Sequence, residues 1–379
     1  MKAKITFSYA GNIGGLGQSY ITEKTVRAYL KTECLYQLFC TAVASHLKIN
    51  AQEILILRRF NEFGFAWGFL ARLLKITGLT YYPSNIFYDK QVAKSLKPCD
   101  IFHGFAAQSF KSMLKAKELG AKVIADNPNT HPLNIKKILT EEYKIWKVPY
   151  LAYNSLALGR RLRALEMADR ILVLSQNSQK TFTAYGCPPE KIRVVAYGVD
   201  NNLFKPKQAK DEVFRVVFMG SVCLRKGFQY LLEAWQLLKL KNAELVLAGP
   251  LTPDGVYALK KFSGKLDFKL LGALSSMEQV AHLYNQASVC VFPSVEEGFG
   301  MVVTEALASG VPVIVSENVG AKDLITDGQE GFIVPIRNAR AIKEALLCLY
   351  EDKPKREQMA KNARLKVQNQ TWEKYEEKL

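Results

Sequence analysis

Between residues 213 and 315 the chain repeats one unit: a short apolar run, a break, then a stretch that favours helix. The runs are Val213–Met219, Glu244–Ala248, Asp267–Leu271, Ser288–Pro293 and Val311–Val315. Short runs of this kind, separated by helical stretches, read as strands of a parallel sheet with helical crossovers. Parallel strands end on one edge, so their loops gather there, and open α/β sheets bind ligands beyond those carboxyl ends. The first half shows the same rhythm more loosely, at Ile5–Tyr9, Ile54–Leu57, Asp100–His103, Lys122–Ala125 and Ile171–Leu174. From Tyr197 to Asp211 it lapses into Gly, Asn, Pro and Lys, which marks a domain junction. The expectation is an α/β protein of two doubly wound parallel-sheet domains, residues 1–200 and 201–354. A charged, helix-favouring stretch at 355–379, with Trp372 and Tyr375, is expected to pack back across the junction as one closing helix. The capping-box spacing of Ser275-Ser276-Met277-Glu278 starts a helix after Ser275 that runs toward Asn285.

A chain of 379 residues, 49% hydrophobic, has material for two cores. Its charge is lopsided: residues 1–200 hold 28 Lys/Arg against 14 Asp/Glu, and residues 201–379 hold 24 against 21. A basic half attracts polyanions, whether nucleic acid, anionic lipid or phosphorylated substrate. No recognisable nucleic-acid module accompanies the charge, so a nucleic-acid partner is not expected. The seven cysteines form no Cys-x-x-Cys pair and read as reduced thiols of a cytoplasmic protein. Met1-Lys2-Ala3-Lys4 leads into a strand-like run too short for a signal-peptide core, and no apolar stretch is long enough to cross a bilayer.

The segment from Val291 to Leu307, VFPSVEEGFGMVVTEAL, carries the most chemistry. A hydrophobic strand ends at Pro293 and a helix is expected to begin near Gly300. The first turn of a helix leaves backbone N–H groups unpaired, and Gly298 and Gly300 let an anion approach them. Glu297 precedes the helix and Glu305 lies within it, so the two carboxylates flank the loop. Acceptor-only groups suit sugar and ribose hydroxyls; an acid at a helix dipole plus a solvated glutamate is the plainer reading of the same pair. Arg225 and Lys226, in MGSVCLRKG (219–227), follow a strand and precede the Phe228–Leu238 helix. Two cations there stabilise a departing diphosphate, or else are solvated surface charges. Near the start, GNIGGLG (11–17) follows the first strand but completes neither the Walker nor the dinucleotide pattern, and a plain strand-to-helix turn also accounts for it.

Taken together these segments resemble the family-4 retaining glycosyltransferases. The match runs from Glu297-x7-Glu305 into Ala306-Leu307-Ala308-Ser309-Gly310-Val311-Pro312-Val313, and includes Gly220 to Gly227, Leu247-Ala248-Gly249-Pro250, Gly328 to Gly331 and Tyr197-Gly198-Val199-Asp200. It covers most of residues 195–350; in the first half it rests on the glycine-rich loop and one histidine. The resemblance implies a GT-B fold, two Rossmann-like domains facing a central cleft. It implies transfer of a hexose-type sugar, with retention, from a nucleotide diphosphate sugar to a glycan, lipid or lipid-linked acceptor in cell-surface polysaccharide or glycolipid synthesis. It assigns catalytic roles to Glu297, His103, Arg225 and Lys226. Donor contacts fall to Glu305, on the ribose, and to Gly298, Phe299, Gly300 and Met301, while Gly14 and Gly15 bring backbone amides from the opposite domain. The family often has arginine after the first glycine of its cationic loop; here Ser221 stands there and Arg225 is the substitute. With no Asp-x-Asp pair in the chain, no metal or other cofactor is expected.

His131, in Asp126-Asn127-Pro128-Asn129-Thr130-His131-Pro132, either lines the acceptor side or belongs to a polar turn. The stretch 58–75 mixes Arg58, Arg59, Arg72 and Lys75 with Phe60, Phe63, Phe65, Trp67 and Phe69. Such a mixture suits the surface of an anionic membrane, with Lys111, Lys115 and Lys117 as a second basic cluster, and equally suits a core-facing helix with a solvated charged side. A nucleotide-sugar epimerase and a noncatalytic, membrane-associated subunit of the same fold remain open alternatives.

Overall fold

The structure, a computed structural model, describes residues 2–15, 17–45, 47, 49, 51, 53–57, 82–148, 155–207, 211–262, 264 and 266–379. Its first half contains β1 (Ile5–Ser8), β2 (Asn12–Ile13), β3 (Leu35–Cys40), β4 (Ala42–Val43), β5 (Glu53–Ile56), β6 (Ile101–Phe105), β7 (Lys122–Asp126), β8 (Arg170–Val173) and β9 (Ile192–Val194). Seven of these form one sheet in the order β5-β3-β1-β6-β7-β8-β9, and β2 pairs with β4 apart from it. The second half contains β10 (Phe214–Met219), β11 (Ala243–Ala248), β12 (Lys269–Gly272), β13 (Val289–Phe292), β14 (Val313–Ser316) and β15 (Gly331–Val334). Their order, β12-β11-β10-β13-β14-β15, is the doubly wound arrangement, with every pairing parallel. β1, β13 and β14 are buried along their whole length, as strands covered by helices on both faces must be.

Both sheets reverse direction of winding at their centres, between β1 and β6 in one and between β10 and β13 in the other. The loops that leave β1, β6, β10 and β13 diverge there and open a crevice. This places Gly11–Gly17, Arg225, Lys226 and the Glu297 loop at the two switch points.

Five strands are not evident in the sequence: the short β2, β4 and β9, and the longer β3 and β15. β3 is interrupted by Gln37, which is fully buried yet satisfied: its amide donates to Glu53 (2.8 Å) and its carbonyl accepts from the Lys97 amide (3.1 Å). β15 begins at Gly331, where an added Cβ would strike the Val313 carbonyl. His103 was expected to end its strand, but β6 continues to Phe105 and His103 is at its middle.

The stretch expected as one closing helix is two, Lys353–Val367 and Trp372–Lys378. The first stays on the C-terminal domain, where Arg364 donates to the Ala308 carbonyl at 2.7 Å. The second lies on the N-terminal domain, with the Tyr375 and Thr25 hydroxyls 2.8 Å apart and Trp372 edge-on to Tyr20. The chain crosses between them beside Gly198, whose missing side chain makes room for the Thr371 backbone. The largest apolar cluster continues from the C-terminal domain into Ile135, Ile138, Leu139 and Trp146 of the N-terminal one, so the two domains are in apolar contact.

Candidate active site

β10 ends at Met219, and a single 3-10 turn, Leu224–Lys226, precedes the helix Phe228–Gln236. Gly227 holds a left-handed φ of 72°, and any Cβ there would run into the Pro293 carbonyl. That close approach sets the two cations beside the loop that follows β13. Arg225 Nη1 is 3.1 Å from Glu296 Oε2 and 3.9 Å from Glu297 Oε2, while Lys226 Nζ is paired with Glu297 Oε2 and lies over the Phe292 ring. The Glu297 side chain is only 10% exposed. Burial opposes its charge, but Lys226 and Arg225 outweigh burial and hold its carboxyl below the usual range. The same glutamates, against burial, raise Arg225 above the ordinary arginine value.

The sequence reading passed over Glu296. Its side chain is 1% exposed; Oε2 meets Arg225 and Oε1 accepts from the Thr130 hydroxyl (2.7 Å) and amide (3.2 Å) of the other domain. The acidic doublet ahead of a glycine was the available signal, since two adjacent carboxylates in a buried loop demand two sets of partners.

The glycines of this loop serve two different needs. Gly298 is packed against the Pro128 carbonyl so closely that no Cβ fits, and its own carbonyl accepts from Ser175 (2.8 Å) and Ser178 (3.1 Å) of the N-terminal domain. Gly300, with φ 93°, turns the chain into the helix Met301–Ala308. Between them Phe299 is buried, its carbonyl bonded to the Ala321 amide and its ring 5.8 Å from Tyr197. Gly298 is thus an interdomain contact, where the sequence suggested an approach for an anion. Glu305 lies one turn into the helix and is 6% exposed; burial pushes its carboxyl up to about 7, with only Tyr284 opposing.

On the facing domain, Gly14 and Gly15 take φ of 85° and 128°, conformations that the turn from β2 into the helix Gln18–Lys31 requires. The Gly14 amide is bonded to the Ser19 carbonyl at 3.0 Å, so it is not an open anion donor as expected from the resemblance. His103 is fully buried, its Nδ1 2.8 Å from the Tyr29 hydroxyl and its Nε2 3.7 Å from Asp126 Oδ2. His131 caps the helix Pro132–Ile145, accepting from the Leu133 amide, and stacks on Tyr185 with centroids 4.6 Å apart. Burial, then the Arg161 charge, lowers its pKa to about 4. The structure therefore brings Arg225, Lys226, Glu296, Glu297 and Thr130 together, sets Glu305 one turn behind, and takes His131 into a helix cap.

Among the described residues no group of three or more His, Cys, Asp or Glu side chains is placed to hold a metal ion. The aromatic and basic stretch 58–75 lies outside the described residues. Lys115 pairs with Glu118 (3.1 Å) and Lys117 with Asp169 (3.3 Å). No helix among the described residues is long and apolar enough to cross a membrane.

The profile of the glycosyl transferases group 1 matches residues 199–366, and that of glycosyltransferase family 4 matches residues 55–203. The capsular polysaccharide biosynthesis glycosyltransferase CapM of Staphylococcus aureus is 28% identical over 240 residues, 56% of this chain and 62% of CapM. The D-rhamnosyltransferase WbpZ of Pseudomonas aeruginosa is 31% identical over 212 residues, 53% of this chain and 55% of WbpZ. The aligned stretches thus span less than two thirds of either relative. Among solved structures, WaaG, a glycosyltransferase involved in lipopolysaccharide biosynthesis, superposes with a TM-score of 0.73 at 17% identity, over 99% of this chain and 98% of that one. Anabaena HepE in complex with UDP-glucose gives 0.69 at 16% identity, over 99% and 97%. The two profiles meet at the crossing between the domains, the structural matches extend over both, and the chain belongs to the family-4 glycosyltransferases of the GT-B fold.

Proposed function

We propose that this protein transfers a hexose-type sugar, with retention, from a nucleotide diphosphate sugar to a glycan, lipid or lipid-linked acceptor of cell-surface polysaccharide or glycolipid synthesis. The observation that carries the proposal is the buried pairing of Arg225 and Lys226 with Glu296 and Glu297 at the sheet's switch point, closed over by Thr130. Without ligand, the glutamates neutralise the cations. A diphosphate competes for Lys226 and Arg225, and the charge that grows on it as the glycosidic bond breaks is stabilised by the same two groups. Glu297, released from Lys226, turns its oxygens to hydroxyls of the donor sugar. Glu305 accepts from the ribose, and the departing phosphate oxygen takes the proton of an acceptor attacking from the same face. Cationic side chains fill the role of a divalent ion, so transfer proceeds without metal. The basic first half, with the stretch 58–75, holds the enzyme on the cytoplasmic face of an anionic membrane.

The test is a panel of UDP- and GDP-sugars. A donor raises the melting temperature in proportion to occupancy, is consumed in the presence of chelator, and yields a product with the donor's anomeric configuration by NMR. Inversion, or loss of turnover on chelation, overturns the corresponding part.

A further inference from the structure

The turn that carries both cations is short. Leu224–Lys226 is a single turn of 3-10 helix, and its N-cap residue, Cys223, makes no side-chain capping bond. Such a turn has little stability of its own. The long side chains of Arg225 and Lys226 are aimed only as well as the backbone beneath them is held. Two side chains from outside the turn hold it, both at the buried Leu224. Asp254 Oδ2 accepts from the Leu224 amide at 2.9 Å, and Gln229 Nε2 donates to the Leu224 carbonyl at 2.9 Å. Asp254 is itself fixed. It lies in the first turn of the helix Pro253–Leu259, 7% exposed, and its other oxygen accepts from the Thr252 hydroxyl at 2.6 Å. The helix dipole accounts for an acid at that position, but not for a carboxylate turned to the amide of another loop. The two loops are in backbone contact: the Val222 amide donates to the Pro250 carbonyl at 2.9 Å, and a Cβ at Gly255 would strike the Val222 carbonyl. Both anchors also meet the facing domain, through consecutive residues of the helix Pro132–Ile145. Gln229, fully buried, donates to Glu142 Oε1 at 2.8 Å. Tyr143 faces Asp254: burial first, then the Asp254 charge, raises its phenol above the usual tyrosine value. On its other side the turn is tied to the Glu297 loop, where the Val295 amide donates to the Arg225 carbonyl at 3.0 Å.

We propose that Asp254 is a positioning residue of the transfer reaction: with Gln229 it fixes the Leu224 backbone and thereby aims Arg225 and Lys226 at the diphosphate of the donor. It acts so only if those cations meet a diphosphate, and in that respect the proposal rests on the transferase reading above. A clamp already in place when charge grows on the leaving group needs no rearrangement at that moment. Without Asp254 the Leu224 amide loses its partner in a buried place, and the turn is left to its own weak bonds. The loss falls on the phosphates. Glu305, the proposed ribose contact, stands on a different element, the helix Met301–Ala308. Because Gln229 is shared with Glu142, the clamp is held most firmly when the facing domain is in place.

The experiment uses the full chain and compares the wild type with Asp254→Ala and Asp254→Asn. Titration calorimetry gives the affinities for UDP and UMP, or for GDP and GMP where the wild type prefers guanine, and kcat/KM is measured with the matching sugar donor. Asp254→Ala is expected to weaken the diphosphate about tenfold, the scale of one hydrogen bond to a charged group, and the monophosphate less than about twofold. Its kcat/KM falls about 100-fold, since the same clamp acts in the transition state. Asp254→Asn keeps a carbonyl for the Leu224 amide and returns to within about threefold of the wild type on each measure. An acid needed only for folding would cost the mono- and diphosphate alike. Equal losses for the two nucleotides, an Asp254→Ala that binds the diphosphate as the wild type does, or an Asp254→Asn no better than the alanine variant overturns the proposal and leaves the transferase reading standing. Should Asp254→Ala not fold, Gln229→Met carries the test: it removes the side-chain partner of the Leu224 carbonyl and is expected to weaken the diphosphate about threefold with the monophosphate unchanged. Equal losses there overturn the proposal in the same way. A wild type that binds neither UDP nor GDP and turns over no sugar donor overturns both readings.

Discussion

On the C-terminal wall of the cleft the buried charges are matched: Arg225 meets Glu296, Lys226 meets Glu297, and Thr130 reaches across to the remaining Glu296 oxygen. On the N-terminal wall His103 and Asp126 are as deeply buried, yet His103 Nε2 and Asp126 Oδ1 have no hydrogen-bond partner among the described residues. On the first wall every buried charge is matched by one of opposite sign before any ligand arrives, whereas the second leaves a donor and an acceptor unpaired at a cost of a few kcal/mol. The first wall is a stored ion-pair cluster that a diphosphate must break into. The second keeps a buried donor and a buried acceptor that no described residue satisfies.

The contrast breaks most directly at Lys226. Lys226→Ala leaves the buried Glu297 with only the more distant Arg225, a loss of about 3–5 kcal/mol of folding stability for an uncompensated buried charge. Transfer falls about 1,000-fold, since a cation on the leaving diphosphate is removed as well. Urea unfolding and kcat/KM measure the two effects separately. Lys226→Ala with Glu297→Gln recovers much of the stability and none of the activity.

Glu305 belongs to the charged wall by position, but no cation among the described residues offsets its burial, and pH exposes the difference. With a folded-state pKa of about 7 it keeps its proton while the unfolded chain releases one from about pH 4.5 upward. Stability therefore falls as pH rises from about 4.5 to 7, by about 3 kcal/mol in all, and is level above that. His131, lowered to about 4, works the other way: its contribution is present above 6.5 and is lost as pH falls toward 4. The two slopes offset one another, so the reading is a difference. From pH 5 to 7, Glu305→Gln gains on the wild type by about 1.4 kcal/mol per pH unit in denaturant unfolding. Glu297, shifted down, adds its own loss only below about pH 4.5. A constant difference across this range would remove Glu305 from the account.

Gly298 tests whether the two walls must meet. Gly298→Ala puts a Cβ into the Pro128 carbonyl, which leaves the nucleotide wall intact but holds the domains apart. Transfer falls about 50-fold while affinity for the free nucleoside diphosphate stays within about twofold, because closure completes the site without forming the nucleotide pocket.

How much of this was legible follows the same division. The charged wall could be read because Arg225, Lys226 and Glu297 follow strand ends, and Glu305 the start of the next helix, in a segment whose apolar rhythm is regular, so sequence position fixed spatial position. Glu296 was missed because its partner, Thr130, is 166 residues away and belongs to the other domain. On the N-terminal wall the signal was weaker for physical reasons. β3 hides behind the buried Gln37, and His103 reads as a strand end only if β6 is cut two residues short. Asp126 looked like part of a polar turn, since which atoms lack partners is a property of packing. At Gly298 the sequence reads as room for an anion, and the Pro128 backbone, 170 residues earlier, takes the space of the missing side chain.

One further contact joins the walls, behind the turn that carries Arg225 and Lys226, and supplies the smallest of the expected effects. Glu142, on the N-terminal helix Pro132–Ile145 and 0% exposed, accepts from Gln229 (2.8 Å), Tyr230 (2.7 Å) and Arg337 Nε (2.7 Å), all from the C-terminal domain. Arg337 is held in a left-handed conformation, φ 59°, and also donates to the Ile138 carbonyl at 3.2 Å. A residue kept in that region without being glycine or asparagine is fixed by its surroundings. Here a cation of the charged domain crosses over to neutralise a carboxylate of the other, the same solution as at Lys226 and Glu297 but built of N-terminal acid and C-terminal base. Glu142→Gln preserves shape and removes the charge, turning one acceptor into an amide that cannot receive from Arg337. Closure weakens by about 1.4 kcal/mol, the scale of one charge-assisted hydrogen bond. Since closure precedes chemistry, KM for the donor rises about tenfold with kcat little changed, and the radius of gyration of the donor-free protein in solution scattering shifts toward the open form. A fall in kcat at constant KM would instead tie Glu142 to the chemical step and erase the distinction between a wall that reacts and a joint that closes.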